Sequence, residues 1–198
     1  MTLHTLAVHA AAALWEPVAL RAAVVAAAGA FAADDKPALA QTGLRIAGCA
    51  LASGGDATRA SHGDALADTL AQGLGERPSE VRRTAAAAVA AVAKAQPAVG
   101  ERYADRWTPG LLACVREKNI PLKLAAERAL LHELQLASGE AVLDAVVARL
   151  DSTTAKALQD YHRRVLSKLA GASSAAEGDD AEDELADPFL RDAPGEKA

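Results

Sequence analysis

An all-α chain of recurring helix pairs is predicted by three features of the sequence. Apolar residues make up 51% of the 198, yet the excess is alanine and aromatics are only 3%. Such a composition suits helices in close approach rather than the bulky core of a sandwich or barrel. Strand signals are missing, with no run of alternating β-branched residues and no Asn-Gly hairpin turn. Glycine, proline, serine and aspartate punctuate the chain at short breaks between longer helix-forming stretches. The length suits one continuous core that needs no disulfide or metal to hold it.

Leu3–Trp15 and Pro17–Ala33 each read as an alanine-rich helix, with Pro17 opening the second. Glu16, Pro17 and Arg21 interrupt the apolar run Ala10–Ala33, leaving less than the roughly 20 residues that a membrane span needs. Only His4 and His9 precede the run, so the basic region of a signal peptide is absent. A soluble helix pair is expected over 1–33.

From residue 34 the pattern becomes regular. Asp34, Asp35 and Pro37 open a helix to about Ala52, and Ser53-Gly54-Gly55-Asp56 has the chemistry of a turn. Helices follow from about His62 to Leu74, Glu80 to Lys94 and Glu101 to Glu117, with Pro109 a kink or a late first turn in the last of these. Asn119–Leu136 is the strongest helix of all, opened by Pro121 and rich in good helix formers. A break at Ala137-Ser138-Gly139, a helix Glu140–Leu150, a cap at Asp151-Ser152-Thr153 and a last helix to about Ala170 complete the set.

Within Asn119–Leu136, Leu122, Ala125, Ala126 and Ala129 share one face, at about 100° per residue. Leu124 and Leu131 point almost the opposite way. Lys123 with Glu127, and Arg128 with His132, form polar stripes between them at i,i+4 spacing. A helix apolar on two sides needs neighbours on both, so it belongs in the middle of a stack. Sliding the chain by 41 places Val81 on Leu122, Arg82 on Lys123, Ala85 on Ala126, Ala88 on Ala129 and Val89 on Leu130. Pro37, Pro78 and Pro121 lie 41 and 43 apart. Helix pairs therefore recur near 17–52, 61–95, 102–136 and 140–169. A period near 40 made of two antiparallel helices is that of HEAT and armadillo units. The predicted fold is an all-α, HEAT/armadillo-like right-handed solenoid of about four helix pairs over 34–170.

Two stretches carry a resemblance. PSEVRRTAAAAVAAV (78–92) resembles the second helix of a generic HEAT repeat. NIPLKLAAERALLHELQL is more specific. It is similar to the C-terminal HEAT repeats of the family of the large translational activator general control non-derepressible protein 1. DYHRRVLSKLA (160–170) is similar to the end of plant and algal members. The resemblance covers roughly 36–170, leaving 1–33 outside it. It implies a giant HEAT solenoid that binds ribosomes and ABC-type ATPases, and that switches on the kinase of translation initiation factor 2 α subunit when amino acids run short. It also implies that a chain of this size corresponds to the terminal cap of such a solenoid, without the upstream segments that bind the ATPase and the kinase.

Beyond residue 170 the composition changes. Ser173–Ala198 holds nine carboxylates against Arg191 and Lys197, a net of −7 where the whole chain is −5, so residues 1–172 carry +2. Low hydrophobicity at this charge density predicts a disordered acidic tail over 171–198 that solubilises the chain and covers a solenoid end. Asp187-Pro188-Phe189-Leu190 is a candidate short contact inside it, and Ser174 with Glu177 a candidate phosphorylation site.

No catalytic motif, cofactor loop or metal spacing is present. The five histidines show no HExxH pattern, Gly54-Gly55 and Gly73-x-Gly75 follow no strand, and Cys49 and Cys114 are expected as reduced core thiols. A non-enzymatic, cytoplasmic protein without cofactors is expected. Binding is left, and the cations on or beside second helices are its candidates: Arg82, Arg83, Lys118, Lys123, Arg128, Arg163, Arg164 and Lys168. A basic strip of this kind meets ribosomal RNA phosphates. Arg82 and Lys123 read first as rungs of an inter-repeat ladder with acidic neighbours. Two function classes stay open: a scaffold segment of translational control that contacts the ribosome and the initiation-factor kinase, as the resemblance implies, or a free-standing small HEAT adaptor that binds a partner helix or peptide.

Overall fold

Proline and glycine open and close the helices much as their chemistry dictates. The computed structural model describes residues 18–133 and 140–175, which form eight helices and no strand. They are α1 (Val18–Ala32), α2 (Pro37–Ser53), α3 (Gly55–Gly73), α4 (Ser79–Ala95), α5 (Pro97–Val115), α6 (Ile120–Glu133), α7 (Glu140–Val147) and α8 (Ser152–Ala175). The expected helix Leu3–Trp15, the end of the 119–136 stretch, the break at 137–139 and the acidic segment from 176, with Phe189 and Leu190, lie outside the described residues. No described helix is long and apolar enough to cross a membrane. The chain divides into two units, residues 1–162 and 163–198.

In the first unit the even helices α2, α4 and α6 lie side by side, and the odd helices α1, α3, α5 and α7 form a second row packed against them. This is the paired stacking of an α-solenoid. The 41-residue register holds in the core. Val81, Ala85, Ala88 and Val89 of α4 are buried, as are their counterparts Leu122, Ala126, Ala129 and Leu130 of α6. Side-chain hydrogen bonds repeat the same interval. Arg77 donates to the carbonyls of Ala32 and Asp34, Gln96 to Ala52, Trp107 to Ala67, and Arg106 to the Asp64 and Asp68 carboxylates, each spanning 38 to 45 residues.

Small residues set the spacing. A Cβ on Gly43 would sit 2.3 Å from the Ala32 nitrogen and 2.5 Å from the Ala28 carbonyl, so α1 and α2 touch backbone to backbone. Gly48 meets the Ala88 methyl in the same way between α2 and α4. Trp107 is the bulkiest side chain in this alanine-rich core and is fully buried.

Several helix ends differ from expectation. α3 starts at Gly55, whose φ of +74° only glycine adopts easily, and not near His62. Local contacts hold this added turn: Thr58 is buried beside Gly54, and Arg59 bridges Asp56 at 2.8 Å and the Leu51 carbonyl across the α2–α3 turn. α5 starts at Pro97, its first-turn proline, so Pro109 lies inside the helix and leaves one turn without its backbone bond. α7 ends at Val147, short of Leu150. α8 passes Ala170 and reaches Ala175, into the segment expected to be tail, whose acidic residues begin only at Glu177. Asp151 caps α8 as expected, with Oδ1 accepting from the Thr153 and Thr154 amides at 3.0 Å each.

Candidate interaction surface

Along the even row each helix leaves one stripe uncovered. In α4 that stripe is Glu80, Arg83, Ala87, Ala91 and Lys94, while the rest of the helix is buried from Val81 to Ala93 apart from the half-buried Arg82. In α2 it centres on Arg45, and in α6 on Leu124 and Arg128. The odd row and the neighbouring even helices cover the other sides, so these stripes lie on the face turned away from the odd row. Arg45, Arg83, Lys94 and Arg128 give the face more positive than negative charge, with Glu80 as a carboxylate on it, and on α6 Lys123 and Glu127 are on its flank.

The positive character is felt by His132. Burial first, then Lys94 on α4 and Arg128 on its own helix, hold its pKa below the ordinary 6.5. Lys94 and His132 thus share one electrostatic environment across the α4–α6 seam.

The expected cations do not all serve alike. Arg83, Lys118, Lys123 and Arg128 are exposed. Arg82 is turned inward: its side chain is 15% exposed, it pairs with Glu117 at 2.7 Å and it donates to the Cys114 sulfur at 3.4 Å. Burial opposes its charge, but Glu117 and Cys114 outweigh that and leave its pKa raised. Arg82 is therefore a rung between α4 and the end of α5, not part of an open strip. Lys123, its counterpart one repeat on, is exposed and lacks that inward position. Arg163 and Arg164 belong to the second unit, where both are exposed. The Lys168 side chain lies outside the described residues. The expectation missed Arg45, 38 positions before Arg83, and Lys94, three turns after it; both intervals were visible in the sequence.

On the opposite row the charges tie the repeats together. Asp64 and Asp68 of α3 hold Arg106 of α5 at 2.9 and 3.0 Å, and Arg149 after α7 reaches Asp105 at 3.7 Å and the Glu101 and Arg102 carbonyls. Cys114 is buried and Cys49 half-buried, neither in a disulfide, with pKa values raised chiefly by burial. Among the described residues no group of three or more His, Cys, Asp or Glu is placed to hold a metal.

Two stacked rows of paired helices with a 41-residue register define an α-solenoid of the HEAT type. The chain belongs to the family of GCN1-like, C-terminal HEAT repeats, whose model matches residues 1–148. That match begins at residue 1, ahead of the resemblance that starts near residue 36, and so takes in the alanine-rich 1–33 segment. It ends before the 160–170 run. The chain is similar to the eIF-2-alpha kinase activator GCN1 of Dictyostelium discoideum, 34% identical over 110 residues, which are 53% of this chain and 4% of the relative. It is also similar to the protein ILITYHIA of Arabidopsis thaliana, 32% identical over 112 residues, covering 57% of this chain and 4% of that one. The chain thus spans a small part of either relative. No solved structure matches it.

Proposed function

We propose that the chain is a non-enzymatic scaffold segment of translational control, acting in the cytoplasm without a cofactor. In this reading it contributes to binding the ribosome and the kinase of translation initiation factor 2 α subunit when that kinase is activated. The observation that carries the reading is the family match over 1–148, with a relative whose name describes it as an activator of that kinase. The basic face of α2, α4 and α6 supports the ribosomal half of it. Arg45, Arg83, Lys94 and Arg128 extend over three stacked helices, with Lys123 on the flank of the last, an array suited to a phosphate backbone.

Ribosome co-sedimentation of the full chain tests this directly. Reversing Arg83, Lys123 and Arg128 together to Glu is expected to lower the pelleted fraction. Its salt dependence should flatten by roughly 0.7–0.9 in log–log slope for each phosphate that is no longer neutralised. R163E with R164E and K168E tests the terminal helix in the same assay. Sedimentation of both variants unchanged from the parent at low salt would refute the ribosomal contact.

A further inference from the structure

Helix α6 carries an uncovered apolar stripe. Ile120, Leu124 and Leu131 are 67%, 59% and 40% exposed. At about 100° per residue the three fall within about 40° of one another, over about 16 Å of helix. The stripe is not a random scatter of surface leucines, because the repeat register says what belongs on part of it. Ala86 and Ala90 of α4 are 0% and 5% exposed and lie about 200° around the helix from Ala88, which meets Gly48 of α2, so they fall on the side of α4 toward its other row neighbour, α6. One repeat later their counterparts are Glu127, half-buried, and the exposed Leu131. The flank that α6 covers on α4 therefore stands open on α6 itself.

The charges bordering the stripe indicate what would cover it. On α4 the position at this border is Arg82, which Glu117 at the end of α5 meets. On α6 the equivalent residue is Lys123, exposed at one edge of the stripe, with Arg128 at the other edge and Lys94 and His132 next to it. Glu127 is the one carboxylate on this side of α6 among the described side chains.

We propose that this flank of α6 docks an acidic amphipathic helix of a partner protein, stacked on α6 as α6 is stacked on α4. Its apolar residues at i, i+4 and i+7 cover Ile120, Leu124 and Leu131, and its carboxylates meet Lys123 and Arg128. The proposal continues an interface already present in the fold, and it stands whether or not the chain binds ribosomes.

The test uses the full chain and a labelled designed peptide of about 18 residues, five helical turns, with leucines at that spacing and glutamates elsewhere. Fluorescence anisotropy is expected to show saturable binding, weakened at least about tenfold by Leu124→Glu with Leu131→Glu, as for loss of central anchor residues. Both positions are exposed, and an unchanged circular dichroism melt verifies the fold. K123E with R128E is expected to weaken the glutamate peptide and to favour a lysine version of it. Four results would overturn the proposal: no binding, equal binding of the lysine peptide to the parent chain, indifference to the leucine substitutions, or sedimentation of the parent as a dimer that L124E dissolves. Binding of single-stranded RNA that is lost with Leu124→Glu and Leu131→Glu would also overturn it, by assigning the leucine stripe itself to nucleic acid.

Discussion

At Gly43 a hydrogen atom is all that fits. Gly43→Ala is expected to cost about 1–3 kcal/mol or more in urea unfolding, since the new methyl meets rigid backbone on α1. Gly29, on α1 itself, has nothing within 4 Å of the same added atom. Gly29→Ala should therefore be neutral or stabilise by up to about 1 kcal/mol, the gain in helix propensity. Equal effects at both sites would mean that the α1–α2 contact is looser than described. His132 gives a pH signature. Its pKa is lowered in the folded state, so the unfolded chain takes up the proton more readily. Stability is fully present above about pH 6.5 and declines as pH falls through the window below it. The urea midpoint should drop between about pH 7.5 and about pH 5.5, and His132→Gln should flatten that drop. Neither site was legible in advance. An interior glycine in a helix reads as a weak point until its neighbour is placed, and the charge on His132 depends first on its burial and then on Lys94, 38 positions away.

Among the helices, α4 is enclosed most completely. Nine of its residues are buried, against three in α1, which forms the end of the described stack. Amide exchange measured by mass spectrometry should be slowest in α4 and faster in α1, because opening α4 disrupts packing on three sides. Exchange in α1 as slow as in α4 would contradict the stacking order. The periodic elements were legible because their burial is decided one residue at a time: the alignment of Val81 on Leu122 carries straight through to matching burial in α4 and α6. Helix ends were less legible. Asp56 suits a first turn, but Thr58 is a weak helix former, and the packing of Thr58 beside Gly54 with the Arg59 bridge recruits this turn into α3. The two apolar faces of α6 were also readable, but the sequence reads as if both were covered, and only one is. What separates the faces is the presence of α4 and α5 on one side, a matter of tertiary placement that periodicity does not encode.

For the whole molecule, the period near 40 and the NIPLKLAAERALLHELQL stretch led to the same family that the match over 1–148 gives. The candidate surface was legible only in part. Counting cations on second helices found Arg83, Lys118, Lys123 and Arg128 on exposed positions, yet it included Arg82, whose charge is spent on Glu117 inside the stack. Sequence spacing places a residue on a helix but cannot say whether an acid from the next element reaches it. The function proposed rests on association, so the most direct measurement is association itself. The full chain, tagged and recovered from extract of amino-acid-starved cells, should bring down ribosomal proteins or the initiation-factor 2 α kinase, identified by mass spectrometry, and the R83E, K123E and R128E triple variant should bring down less. Recovery of neither from extracts in which both are abundant would contradict the scaffold role in translational control.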